Sequence, residues 1–407
     1  MMENTYAREV MHRLLQRGYQ AYWVGGCVRD RLLNRPFNDY DLATDALPEA
    51  VMRLFPHAIP IGIQHGTVLV VHEGIHVEIT TFRRENGYRD YRRPKVTFID
   101  DLLFDLQRRD FTINAMAMDS SGKLIDPLNG RADLEQRQIR AVGKATERFQ
   151  EDALRMLRAV RFAAVLHFSI EPSTENGLDR CAHLIRHISR ERVLSELDKM
   201  MSCPDAGRGW SLLERHSLLD HLPAFRHRRP FPSDNRVHFR LLDHVDQRWA
   251  CLLKHLFPQR AHTLEFLCAM GFPKKRRQQI TTLFDLAEEL AAAPDERREK
   301  LLLLHHGKEH LSQAAAVAAF CSCGAAGEEV WRKSQAYWNE MEASLTIRKR
   351  QELALRGDDL IQLSVRPEGP WIGRFLAEAF ERVALGDWPN KKEELLLKAM
   401  RRIGDGR

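Results

Sequence analysis

Val24-Gly25-Gly26-Cys27-Val28-Arg29-Asp30, followed shortly by Asp39-Tyr40-Asp41-Leu42-Ala43, is the stretch whose reading decides the fold. Ala21–Val24 reads as a short strand, the two glycines as a tight turn, and the following residues as a helix through Leu33. Glycines let the backbone approach a ligand, and a helix N-terminus presents free N–H groups and a positive dipole. Arg29 adds a fixed cation, so Gly26 and Arg29 suit a triphosphate as well as they suit a plain strand–helix turn. Asp39–Ala43 reads as a second strand, on which residues two apart point to one face. Asp39 and Asp41 therefore aim two carboxylates at one place. Like charges that close are costly unless a cation neutralises them. Magnesium, a hard ion that prefers oxygen, is commonly held by a few carboxylates and substrate phosphates.

Working outward, residues 5–18 and the run from Pro48 to Phe55 read as helices, and Thr67–His72 and Ile75–Thr80 as strands. Glu73-Gly74 between those strands is a hairpin signal. The mixture predicts an antiparallel or mixed sheet flanked by helices. Glu78 is an acid among β-branched residues and offers a third carboxylate if its strand lies beside Asp39 and Asp41. Three carboxylates can clamp two metals about 3.5–4 Å apart. Arg108-Arg109-Asp110-Phe111-Thr112-Ile113-Asn114 places paired arginines where they can bind phosphate and order a loop. In Glu151–Arg161, the residues Asp152, Arg155, Arg158 and Arg161 recur every third position, predicting one polar stripe on a helix. One acid against three arginines does not neutralise itself, unlike an ordinary salt-bridge ladder. No Ser/His or Cys/His pair is evident. Carboxylates, glycines and arginines are the parts of phosphoryl chemistry, which needs positioning and electrostatics more than covalent catalysis.

From about residue 146 strand-like runs almost vanish and helical periodicity dominates, with breaks near 203–207, 226–234, Pro273, Pro294 and 324–327. The 407 residues predict two to four domains, and 44% hydrophobic with 29% charged residues is a globular balance. The net charge of +6 is compatible with a polyanionic partner. Lys274–Arg277, Arg226–Arg229 and Arg348–Arg350 are candidate phosphate contacts. Seven scattered cysteines without a CxxC predict free thiols in a reducing cytoplasm, and no zinc site. The N-terminus lacks a signal-peptide core, and no apolar run approaches the ~20 residues of a membrane span.

Taken in order, these five segments resemble the class II tRNA nucleotidyltransferases, the CCA-adding enzymes and their bacterial poly(A) polymerase relatives. The match is most like the compact Bacillus type, and it continues through His187–Arg192, Gly357–Leu360 and Gly369-Pro370-Trp371. The resemblance implies an α+β head like that of DNA polymerase beta at 1–145, then an all-α neck at 146–200, a helical body at 201–300 and a tRNA-binding tail at 301–407. It implies magnesium on Asp39 and Asp41, with Glu78 as a third catalytic carboxylate. Gly26, Arg29 and Arg109 would hold phosphates. Asp152 and Arg155 would read the base, and Arg158 and Arg161 would support the base and phosphates. The partners implied are tRNA, with CTP and ATP as substrates, and a second copy of the chain through the tail. Cytosine and adenine share an amino donor beside a ring-nitrogen acceptor, which a carboxylate and a guanidinium complement. Uracil and guanine would leave the carboxylate facing a carbonyl.

Other readings compete. Arg84–Pro94 looks like an intact flexible loop, which disfavours a CC-adding enzyme but leaves an A-adding one open. A poly(A) polymerase would carry longer basic extensions. A catalytically inactive RNA-binding protein would not need Asp39, Asp41, Glu78, Asp152 and Arg155 together. An HD-type metal hydrolase could use Asp220-His221 and Asp243-His244, though these are in the order DH.

Overall fold

The computed structural model describes residues 5–89, 93–231, 239, 242–292, 294–323, 327–363 and 368–404. Two compact units emerge, Met1–Arg236 with Ala269–Gly271, and Val237–Cys268 with Phe272–Arg407.

The first unit opens with helix α1 (Thr5–Gln16), whose Ala7, Val10, Met11 and Leu14 form a buried stripe at helical spacing. Then follow β1 (Ala21–Val24), α2 (Gly26–Leu32), β2 (Asp39–Thr44), α3 (Pro48–Leu54), β3 (Ile59–Gly62), β4 (Thr67–His72) and β5 (Ile75–Thr81). Glu73 and Gly74 both take positive φ (45° and 80°), the geometry of a tight two-residue hairpin between β4 and β5. With β8 (Ala117–Met118) and β9 (Leu124–Ile125), these strands form a seven-stranded sheet in the order β3-β4-β5-β2-β1-β8-β9. The sheet is mixed, because β2 and β5 run parallel while β1 pairs antiparallel with both β2 and β8. Val24, Ala43, Phe82, Leu106 and Ala117 pack into a core patch that holds β1, β2 and α4 (Leu102–Gln107) together.

The segment expected to be a flexible loop forms two strands instead, β6 (Arg83–Arg89) and β7 (Arg93–Phe98), paired antiparallel from Arg83↔Phe98. Residues 90–92 of that segment lie outside the described residues. The exposed edge strand β3 is unannounced by the sequence, because Ile-Pro-Ile-Gly has no buried face to set a period.

Beyond α5 (Gly130–Glu135) the chain turns helical. α6 (Ala145–Glu151), α7 (Leu154–Leu166), α8 (Pro172–Cys181), α9 (Arg190–Met201) and α10 (Ala206–Arg215) follow, with only the short parallel pair β10 (Gln138–Ile139) and β11 (Ser169–Ile170) among them. The single stripe expected across Glu151–Arg161 is corrected here. Asp152 sits between α6 and α7 in extended backbone (φ −141°, ψ 103°), so the chain breaks at the first residue of the pattern. Its carboxylate accepts from Leu154 N at 3.1 Å, a local bond that competes with the helix.

The second unit is helical throughout its described residues. Trp249 packs edge-on against Phe272 (5.2 Å, 90°) and beside Phe266. A separate cluster joins Leu360, Phe375, Ala379, Val383 and Leu395. The apolar runs 301–304 and 314–320 lie in the helix Glu296–Cys323, interrupted at Gly307 (φ 76°). The side chains of Cys321 and Cys323 and the predicted break at 324–326 lie outside the described residues. Among the described residues, no helix is long and apolar enough to cross a membrane.

Candidate active site

A cavity of about 1000 Å³ in the first unit gathers the expected catalytic and nucleotide-binding residues. Gly26, Arg29, Asp39, Asp41, Glu78, Arg109, Asp152, Arg155, Arg158 and Arg161 all line it. They arrive from α2, β2, β5, the segment after α4, the break before α7, and α7 itself.

The carboxylates come from strand register. In β2 the side chains of Tyr40 and Leu42 are buried on one face, which turns Asp39 and Asp41 to the other. The parallel pairing sets Asp41 opposite Glu78. Burial raises the Asp41 pKa, Asp39 raises it further, and Arg109 and Arg29 oppose the rise. Glu78 is also raised, by desolvation first and then by Asp41 and Asp39. Asp39 and Asp41, like charges on one face of β2, are carboxylates of the kind that can hold a hard cation, with Glu78 on the neighbouring strand. Among the described residues, no three His, Cys, Asp or Glu side chains stand close enough to form a complete ligand group. That fits an ion held by two carboxylates and finished by phosphate oxygens, rather than a preformed cage. Beside them the Cys27 thiol, pushed up to about 12 by burial and then by Asp41, stays protonated and is no nucleophile.

Gly25 (φ 72°, ψ −133°) makes the turn into α2, a conformation that a Cβ would strain. A Cβ there would lie 3.1 Å from Arg109 Nη1 and 3.2 Å from Asp41 Oδ2. The missing side chain thus lets an arginine and a carboxylate close over the glycine turn. Arg109 Nη2 donates to Asp105 Oδ2 at 3.1 Å, while its buried Nε has no hydrogen-bond partner among the described residues. Burial would raise Asp105, but Arg108 and Arg109 outweigh it and hold it below the usual range. Arg108 also donates to Glu85 at 3.1 Å, and Arg83 bonds both Glu85 and the His65 carbonyl, tying β6 to the cavity wall.

A buried relay crosses the cavity floor. Arg29 Nη1 donates to Asn114 Oδ1 at 2.8 Å, and Asn114 Nδ2 donates to Asp110 Oδ1 at 3.1 Å. Arg158 Nε donates to Asp110 Oδ2 at 2.7 Å. Asp110, though buried, is driven down to about 2 by Arg158 and Asn114. Arg161 Nε donates to the buried Glu196 at 2.6 Å. α7 is buried on nearly every side, so its arginines need partners, and they have them.

Asp152 and Arg155 line the cavity but face different partners. Arg192 grips both oxygens of Asp152, at 3.1 and 2.7 Å. Arg155 donates to Glu151 at 2.6 Å and to the Arg108 carbonyl at 3.0 Å. Sequence reasoning missed Arg192, Glu196 and Phe162 as members of this site, whereas Asn114 stood in the segment expected to bind phosphate and order a loop. Only the position of Arg192 in the His187–Arg192 segment pointed toward it.

Other expectations resolve differently. Arg228 is bound by Glu214 and Asp220, so it is not an open phosphate contact, whereas Lys274, Lys275 and Arg348–Arg350 are exposed. Asp220 is thus occupied by Arg228. His244 caps the helix Val245–Leu256, so the two DH pairs have structural tasks.

Comparison with known proteins agrees with this geometry. Residues 21–140 match the poly A polymerase head domain, 167–227 the probable RNA and SrmB-binding site of polymerase A, and 241–399 the putative domain 2 of tRNA nucleotidyltransferases. The CCA-adding enzyme of Geobacillus sp. strain WCH70 is 42% identical over 95% of this chain and 94% of its own length. The CCA-adding enzyme of Bacillus subtilis strain 168 is 37% identical over 97% and 98%. The crystal structure of the Bacillus stearothermophilus CCA-adding enzyme in complex with CTP superposes with a TM-score of 0.84 at 37% identity, covering 99% of this chain and 100% of that one. With relatives of this identity along nearly its whole length, the chain belongs to the CCA-adding enzyme family of tRNA nucleotidyltransferases.

Proposed function

We propose that this chain adds C, C and A to the 3′ end of tRNA from CTP and ATP, without a nucleic-acid template, releasing pyrophosphate. The observation that carries the reading is the single cavity lined both by Asp39, Asp41 and Glu78 and by Asp152 and Arg155. The names of its relatives support the same substrates. We assign residues 1–145 as the catalytic head, 146–200 as the neck that reads the base, 201–300 as the body and 301–407 as the tRNA-binding tail.

The terminal 3′ oxygen attacks the α-phosphorus of the incoming nucleotide, and the bond from that phosphorus to the bridging oxygen of pyrophosphate breaks. Asp39 and Asp41 would hold magnesium, with Glu78 in support. The chemistry it would supply there is a lowered pKa for the attacking hydroxyl and stabilisation of charge on the phosphoryl oxygens. The glycine turn admits the phosphates close to backbone N–H groups, and Arg29 and Arg109 meet their charge. Asp152 accepts from the amino group of cytosine or adenine and Arg155 donates to the ring nitrogen. With Arg192 and Leu154 bonded to it, Asp152 still has lone-pair capacity for that amino group.

Three tRNA transcripts, ending before CCA, after C and after CC, test the reading when each is given magnesium with CTP or ATP separately. CTP should extend the first two and ATP only the third. ATP incorporation without any CTP incorporation would replace this reading with an A-adding enzyme. A long A tract would point to a poly(A) polymerase, and no incorporation to a binding protein.

A further inference from the structure

Phe162, buried on α7 and lining the cavity, draws three guanidinium groups around one ring. The Cζ atoms of Arg161, Arg29 and Arg158 lie 4.1, 5.1 and 5.3 Å from its centroid. Arg29 comes from α2 at the glycine turn, and the other two from α7 itself, so the ring sits where two parts of the site meet. Each guanidinium also has its own carboxylate. Arg29 pairs with Asp30 at 2.7 Å, Arg158 with Asp110 at 2.6 Å and Arg161 with Glu196 at 2.6 Å. The three cations nevertheless repel one another, and what they share is the ring.

An aromatic face carries negative quadrupole density and attracts a cation within about 6 Å of its centroid. An aliphatic side chain of like volume would fill the space and supply no such attraction. The ring is itself held in place, since Phe111, fully buried and next to Asp110, meets it edge-on at 5.9 Å and 84°. The same segment therefore orients both the ring and the Asp110 carboxylate that pairs with Arg158.

We propose that Phe162 is a positioning residue for the nucleotide, its ring holding Arg29, Arg158 and Arg161 as one preformed cationic surface that receives the triphosphate. This rests on the reading above, in which those arginines serve the incoming nucleotide. A preformed surface lowers the ordering cost of binding, so removing ring density weakens affinity more than turnover.

The test replaces Phe162 in the full chain with mono-, di- and trifluorophenylalanine, which drain the ring face at nearly constant shape. Calorimetry measures the Kd for CTP, for ATP and for inorganic tripolyphosphate. Kd should rise stepwise with each fluorine, about tenfold across the series, for all three ligands alike. The rate at saturating nucleotide should fall by less than the affinity does, and the unfolding midpoint should barely move. Phe162→Tyr, which keeps the ring face, should bind nucleotide close to the wild-type level, and Phe162→Leu should bind at least as weakly as the trifluoro variant. A flat Kd across the fluorinated series, with normal CTP and ATP addition by the wild type, would overturn this proposal alone. A weakening confined to CTP and ATP and absent for tripolyphosphate would also overturn it, since the ring would then serve the base. A wild-type chain that neither bound nor incorporated nucleotide would sink the functional reading and this proposal together.

Discussion

Arg192 holds Asp152 at two points, its Nη1 and Nη2 lying 3.1 and 2.7 Å from the two carboxylate oxygens. The pair spans forty positions of sequence and joins α9 to the break between α6 and α7. Two parallel N–H···O bonds fix the plane of a carboxylate as well as its place. Asp152 could not otherwise be aimed by its own helix, because it is not in one.

Arg192→Met should therefore leave Asp152 present but loosely aimed. Discrimination between CTP and UTP, measured as the ratio of kcat/KM on a tRNA ending before CCA, should fall by about tenfold or more. That is the scale of one well-placed polar contact in a specificity site. Equal losses for CTP and UTP, with the ratio intact, would show that Arg192 only braces the fold.

The two glycines of the turn should behave oppositely. Gly25→Ala forces a side chain into φ 72° and against Arg109 and Asp41, whereas a Cβ at Gly26 finds only Arg29 Nη2, at an ordinary 3.6 Å. Gly25→Ala should cost about 1–3 kcal/mol and several degrees in the unfolding midpoint. Gly26→Ala, at the first position of α2, should leave the midpoint nearly unchanged. Similar midpoints for both variants would contradict the turn geometry.

Asp110 makes acid stability a measurable quantity. Its pKa falls from 3.8 to about 2 in the folded chain, so the folded state favours the ionised form. The stability this contributes, about 2 kcal/mol, is fully present above the unfolded value and is lost as pH drops from there toward 2. The stability gap between the wild type and Asp110→Asn should be constant above about pH 5 and narrow below about pH 4. A gap that stayed constant through that range would mean the Arg158 pairing does not favour the anion.

How much of this was legible in sequence follows from the range of each signal. The strand that carries Asp39 and Asp41 was readable because its alternation is local, with Tyr40 and Leu42 buried between exposed or half-buried acids. Glu78 was readable as a candidate, yet its place opposite Asp41 is a matter of strand order, which no local pattern encodes. The stripe from Asp152 to Arg161 misled at its first member, because three-residue spacing is equally met when an Asx turn interrupts the helix. Arg192, Glu196 and Phe162 were missed for one reason. Each acts on a residue distant in the chain or through a buried bond, and single residues at such distances leave no periodic trace. The hairpin of β6 and β7 was read as a loop because its charged, glycine-containing sequence has little of the β-branched alternation that marks a strand.

We propose that Asp39 and Asp41 carry divalent-ion chemistry in the cavity that Asp152 and Arg155 also line. The most direct test is single-turnover addition of the first C to a tRNA ending before CCA, comparing wild type with Asp39→Ala and Asp41→Asn at saturating magnesium, with tRNA affinity measured alongside. Both variants should lose at least about 100-fold in rate, the scale of several kcal/mol of transition-state charge stabilisation, while binding tRNA within about twofold of wild type. Addition by either variant at a rate near that of the wild type would contradict the account.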